Sequence, residues 1–156
     1  MKSRKYLLLL AIYFLIFSFS LGCALFKPTA SIDDPLLNFY VDTPPAHTQA
    51  ALRLTEKARA EIQRGKQDVA IEHLQKALTI DPQCPFSYYF LALSAHHTGH
   101  YKKSNGFLEK AKQLFTSFSF WKAQSYQLAG QNFEKLGDTK SAKAQFKKAK
   151  EIDPNL

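Results

Sequence analysis

Apolar side chains at Val69, Ala70, Leu74, Ala77 and Leu78 recur with helical spacing, and the run stops at Asp81-Pro82. A preceding helix is predicted from about Ala51 to Arg64. Gly65 closes it, because glycine takes the left-handed conformation that ends a helix without a Cβ penalty. Gln67 and Asp68 open the second helix, with Asp68 as its expected cap. The same arrangement then returns twice. Tyr88, Leu91, Ala92 and Ala95 precede Gly99, and Leu108 and Ala111 come after it. Tyr126, Ala129, Gly130 and Phe133 precede Gly137, and Ala142, Phe146 and Ala149 come after it. The pattern predicts an all-α fold of three helical hairpins, about six helices, over residues 51–84, 85–118 and 123–156.

The chain also repeats its punctuation. The phrase ALTIDP at Ala77–Pro82 returns as AKEIDP at Ala149–Pro154, 72 positions later. Gly65, Gly99 and Gly137 are 34 and 38 residues apart, the same total. Two periods of 34 therefore carry four added residues, placed within Ser119 to Lys122. Four residues are about one helical turn of 3.6. The insertion lengthens either the second helix of hairpin two or the first helix of hairpin three, with its faces little rotated.

A helix–turn–helix period of 34 resembles that of the tetratricopeptide repeat (TPR) family. The resemblance covers Ala51 to Leu156 and rests on three units in register. Small residues recur where paired helices approach closely: Ala58, Ala92 and Gly130, then Ala70, Ser104 and Ala142. Larger ones recur between them at Leu74, Leu108 and Phe146. The departures are Leu54, Tyr88 and Tyr126 at the family's early Trp, Thr116 where the closing Pro would stand, and Gly106 inside the second helix of unit two.

The resemblance implies a helical solenoid without an active pocket, whose first helices line a concave groove for a segment of another protein. Carried over position by position, the expected lining is Leu52, Thr55, Arg59 and Ile62, then Phe86, Tyr89, Leu93 and His96, then Gln124, Gln127, Gln131 and Glu134. For Phe86, Tyr89 and Leu93, contact with a neighbouring helix or with Leu36–Val41 is the competing reading. Some family members grip a C-terminal carboxylate with Lys and Asn, and Thr55 and Arg59 occupy those positions here, so no such clamp is expected. Phe115, Phe118, Phe120 and Trp121 form an aromatic cluster at the insertion, expected to complete the core, with an exposed partner anchor as the alternative.

Ahead of the repeats, Pro28, Pro35, Pro44 and Pro45 break helices, and residues 23–50 read as a tether. The apolar stretch Leu36–Val41 (LLNFYV) is out of place in a plain linker and is expected to dock, on its own domain or on a partner. The first residues differ again. Lys2, Arg4 and Lys5 precede an apolar run to Leu21 and then Gly22-Cys23, which is a targeting pattern. It resembles a bacterial lipoprotein signal peptide over residues 1–22, with Cys23 as the lipidated residue and Ser20 where that family has Leu. A secretory signal cut after Gly22 and an uncleaved anchor stay open. Lys5 and Lys27 enclose 21 uncharged residues, and about 20 span a bilayer. All three place the rest of the chain outside the cytoplasm. In the lipoprotein family Asp after the Cys signals inner-membrane retention, so Ala24 points to the outer membrane.

Charge changes this picture little. The formal charge is +8 from 21 basic and 13 acidic residues; without Lys2, Arg4 and Lys5 it is +5. Most of the excess lies beyond Tyr101 and reads as a solvated lysine surface, so nucleic acid is not an expected partner. The two cysteines leave Cys84 unpaired if Cys23 carries lipid. His96 and His100 are four apart, but Gly99 interrupts the helix between them, so no metal site is expected. No phosphate loop, nucleophile elbow or carboxylate pair is present, and neither an enzyme nor a cofactor is expected. The expected role is a membrane-anchored, periplasm-facing adaptor for another envelope protein, in pilus, secretion or outer-membrane assembly. The alternative is a docking cofactor that regulates a cell-wall or proteolytic enzyme. The last helix is soluble through Lys143, Lys147, Lys148 and Lys150, or else Ala144, Phe146 and Ala149 form an edge that a second copy covers.

Overall fold

The computed structural model describes Ser31 and residues 33–156; the leader and Cys23 lie outside the described residues. Among the described residues there are six α-helices: α1 (Ala46–Gln63), α2 (Gln67–Ile80), α3 (Pro85–His97), α4 (Tyr101–Leu114), α5 (Ser119–Lys135) and α6 (Thr139–Ile152). They pair as α1–α2, α3–α4 and α5–α6, and each hairpin packs on the next, chiefly through α2–α3 with α1–α3, then α4–α5. A 3₁₀ turn, Leu36–Phe39, precedes α1. No helix among the described residues is long and apolar enough to cross a membrane.

The three glycines end the first helix of each hairpin in the same way. Gly65, Gly99 and Gly137 have φ of 77°, 78° and 79°. Their N–H groups donate to Ile62, His96 and Glu134, and the next N–H groups along, of Lys66, His100 and Asp138, donate to Glu61, Ala95 and Phe133. This is the paired bond pattern of a Schellman cap, and it satisfies two orphan carbonyls each time.

Between the helices of each hairpin the predicted small residues make the contact. Ala58, Ala70, Ala92, Ser104 and Ala142 are buried, as are Leu74 and Leu108. Unit three solves the same packing differently. A Cβ at Gly130 would lie 2.8 Å from Phe146 Cζ and closer still to Cδ1 and Cε1. Where units one and two use Ala with Leu, this hairpin uses Gly with Phe.

Two local expectations change, and one alternative is resolved. The first helix starts at Ala46, not near Ala51, with Pro45 at its N-cap. A proline that ends one segment suits the start of the next, because it lacks only an N–H the helix would leave unpaired. Asp68 is not a cap: Lys66 holds that position without a side-chain bond, and Asp68 lies in the first turn of α2, where its charge favours the helix dipole. The inserted turn belongs to α5, which has 17 residues against 13 in α3, while α4 keeps the 14 of α2 and α6. Gly106 sits within an unbroken α4.

Among the described helices only α6 has a side-chain N-cap, where Asp138 accepts from the Ser141 N–H at 2.9 Å. Bonds from the Ser141 hydroxyl and backbone hold the Asp138 carboxyl below its ordinary value of 3.8. A depressed folded value adds stability above the ordinary carboxylate range and loses it as pH falls through the folded value. Asp138→Ala should therefore lower the melting temperature at pH 7. The deficit should shrink over about pH 5 to 2, whereas Asp138→Asn should keep the cap and lose that pH dependence.

Candidate functional site

The first helices α1, α3 and α5 form one face, and the chain ahead of α1 lies across it. Leu36 is fully buried, while Leu37 is 48% and Val41 100% exposed, so the strap turns selected side chains inward. Its backbone is held by charge. The Leu36 N–H donates to Glu56 Oε1 at 2.6 Å, and Arg59 Nη1 donates to the Asp34 carbonyl at 2.9 Å. Glu56 and Arg59 also pair with each other at 2.6 Å on α1. Both strap bonds involve an ionised group, which makes them stronger than bonds between neutral groups.

Aromatic rings receive the rest. Phe39 stacks on Phe120, with centroids 6.0 Å apart, and meets Trp121 edge-on at 5.4 Å. Tyr40 meets Phe118 edge-on at 5.0 Å and leans on Phe86 at 6.2 Å. Beneath them Phe86 contacts Phe115, Phe118 and Trp121 at 5.2–5.3 Å. The Trp121 indole N–H is buried without a hydrogen-bond acceptor. Burial, with Cys84 and then Asp81 nearby, pushes the Tyr40 phenol up, and burial alone pushes Tyr89 up.

Of Leu36–Val41, all but the exposed Val41 thus docks on its own domain, over the expected groove. This changes the reading of several lining positions. Leu52, Thr55, Ile62, Phe86 and Tyr89 are buried. Thr55 Oγ1 donates to the Ala51 carbonyl and lies 2.7 Å from Ser87 Oγ, tying α1 to α3. Phe86 belongs to the aromatic core under the strap. Of the cluster at the insertion, Phe115 and Trp121 are fully buried, and Phe118 and Phe120 are half-buried against the strap. Arg59, Leu93, His96, Gln124 and Gln127 are half-buried, and Gln131 and Glu134 are exposed. The exposed part of the face therefore runs along the C-terminal halves of α3 and α5, rich in amides.

Sequence reasoning missed the residue that joins these two helices. Asn132 is fully buried. Its Nδ2 donates to Ser104 Oγ and Asn105 Oδ1, both at 2.8 Å, and its Oδ1 faces His96 Nδ1 at 2.7 Å. With both amide hydrogens used, Oδ1 accepts and His96 Nδ1 carries the proton. Lys112 is also unlike its neighbours. It is 6% exposed, donates to Glu109 and Gln145, and lies 4.5 Å from the Tyr126 ring centre. Neither residue breaks the helical period, so the pattern alone does not separate them from solvated positions.

Among the described residues no three His, Cys, Asp or Glu converge as metal ligands. His100 Nδ1 lies 3.0 Å from Thr98 Oγ1 instead. Cys84 is free and buried, and desolvation raises its pKa, which disfavours the thiolate. A second cleft, about 360 Å³, opens between α2, α3 and α4 beside Ile71, Leu78, Leu91 and Phe107.

A tetratricopeptide repeat model matches residues 53–84 and 123–156, the first and third hairpins. The chain carries tetratricopeptide repeats. The segment between those matches holds the departures of unit two, Gly106 and Thr116, yet it folds as the same hairpin. In fold the chain is similar to the N-terminal domain of stress-induced protein-1 from C. elegans (TM-score 0.65, 22% identity, 70% of this chain and 89% of that one). It is also similar to the first TPR of Spaghetti (RPAP3), solved with the HSP90 peptide SRMEEVD (TM-score 0.63, 24% identity, 72% and 87%). MamA is a third (TM-score 0.61, 26% identity, 69% and 61%). No curated protein matches the chain by sequence.

Proposed function

We propose that the chain is a membrane-anchored adaptor that faces the periplasm of a bacterial envelope. Its TPR groove holds a segment of another envelope protein there, in pilus, secretion or outer-membrane assembly. One observation carries the binding part: the groove face already holds a linear segment, with its backbone on Glu56 and Arg59 and its side chains in aromatic slots. A surface that grips a short segment of its own, here a 3₁₀ turn, is chemically equipped to grip another. The solved Spaghetti domain with its bound peptide is consistent with this use of the fold. The anchoring part rests on the basic–apolar–Gly22-Cys23 leader. The non-enzymatic reading rests on the repeat fold, whose three hairpins build a binding face.

Phe86 and Tyr89 are core residues, so changing them tests folding more than binding. Leu93 and Gln127 remain at the surface and are the better probes. Cross-linking in intact envelopes, then solubilisation and affinity capture, should recover one partner with the natural chain. Leu93→Ala/Gln127→Ala should lose it while staying folded, with a melting temperature only several degrees lower. Recovery of assembly-machine proteins supports the proposal, and recovery of a cell-wall or proteolytic hydrolase favours the docking-cofactor role. Unchanged capture by the double variant rejects this face as the site. Mass spectrometry of the mature N-terminus tests the anchor: acylated Cys23 is expected, and an unmodified Met1 overturns cleavage.

A further inference from the structure

We propose that the strap is a displaceable occupant. The groove is a site for a segment of the pattern apolar–x–x–aromatic–aromatic, and Leu36–Tyr40 closes it until a partner segment of that pattern takes its place. The proposal rests on the peptide-holding role above and adds the recognition pattern and the competitor.

The strap itself defines that pattern. Leu36 is its one fully buried residue, Leu37 and Asn38 point outward, and Phe39 and Tyr40 enter adjacent slots. The slots are built by α3 and by the start of α5: Phe86 on one side, Phe118, Phe120 and Trp121 on the other. The polar contacts at Glu56 and Arg59 go to strap backbone, an N–H and a carbonyl, and any segment in the same register offers both. Specificity therefore comes from the three inward side chains, and direction from the charged pair.

The strap is also an imperfect fit. Phe39 and Tyr40 stay half-buried, and the Trp121 N–H beneath finds no acceptor. The buried small residues on the first helices, Ala58, Ala92 and Gly130, all lie within the repeats. Local segments held by few contacts open at lower free energy than the core. Residues 41–45 are the whole link from strap to α1, so the strap acts at the millimolar effective concentration of a short tether. A partner must exceed that, which sets a threshold for binding.

The test uses the full chain in detergent and a fluorescein-labelled peptide of residues 33–42. With Leu36→Ser/Phe39→Ser in the protein, the peptide should bind saturably and at least about tenfold more tightly than to the natural chain. Trp121, the single tryptophan, should emit further to the red in the variant and return toward the blue on binding. A peptide carrying the same two substitutions should not bind. A folded variant with no saturable binding, or equal binding to both proteins, overturns the proposal. If the variant does not fold, amide exchange of the natural chain decides. The Leu36 N–H should exchange faster than those in the middle of α3, and exchange only with global unfolding overturns displacement. Loss of peptide binding while Leu93→Ala/Gln127→Ala still abolishes partner capture would reject the strap as competitor and leave the groove's role intact.

Discussion

Phe86→Ala is expected to remove about 3–5 kcal/mol of stability, the range for deleting a buried aromatic ring. The ring is fully buried and touches five others, from Phe39 and Tyr40 in the strap to Phe115, Phe118 and Trp121 beneath. Truncation opens a cavity whose walls come from α3, α4–α5 and the strap together. The helices cannot all move inward, because α3–α4 and α5 belong to separate hairpins. Against a total of about 5–15 kcal/mol for a domain, the loss is a large fraction. Urea denaturation monitored through Trp121 emission measures it directly, since no other tryptophan contributes. Leu93→Ala on the same helix is half-buried and should cost about 1 kcal/mol. If the two variants lost similar amounts, the ring cluster would be a surface adornment and the strap's docking would need another cause.

The hairpins were legible because two independent constraints agree at each turn. Only glycine takes φ near +78° without strain, so Gly65, Gly99 and Gly137 mark three turns whatever their surroundings. The helical period between them fixes which faces are apolar. Pro45 was ambiguous for a physical reason. Proline stops a helix on its N-terminal side and starts one equally well on its C-terminal side, and the residues flanking Pro44-Pro45 favour neither. The four-residue insertion was visible as a spacing but not as a location, because a whole turn preserves the faces of either helix.

The groove was legible as a set of positions and not as a surface. Family register puts Phe86 and Tyr89 on the inner face of α3, and they are there. Their burial depends on what lies over and between the helices, namely the strap and the rings of α5. Leu36–Val41 signalled by its composition that it would dock, yet the partners of its backbone, Glu56 and Arg59, are set by three-dimensional reach alone. Polar hubs are harder still. An amide at position 132 fits a solvated helix face as well as a buried junction, and only the presence of Ser104, Asn105 and His96 around it distinguishes the two.

Asn132→Leu should cost about 2–4 kcal/mol although the two side chains have the same number of heavy atoms. The natural amide closes a chain of bonds across two hairpins. Ser104 Oγ on α4 donates to the Ala92 carbonyl of α3 at 2.7 Å and accepts from Asn132 on α5, which in turn accepts from His96 on α3. Every donor and acceptor is used with consistent polarity. Leucine cannot accept from His96 or donate to Asn105, and it presents hydrocarbon to the fully buried Ser104 oxygen. His96 and Asn105 are half-buried and recover part of the loss from water, which keeps the cost below that of a sealed network. A double-mutant cycle with Ser104→Ala isolates the shared bond. The pair should be less destabilised than the two single variants combined, by about 1 kcal/mol, because neither partner is then left facing an unmatched group. Strict additivity in denaturant melts would show that Asn132 and Ser104 act independently, and the joint between the second and third hairpins would then owe nothing to the bond they share.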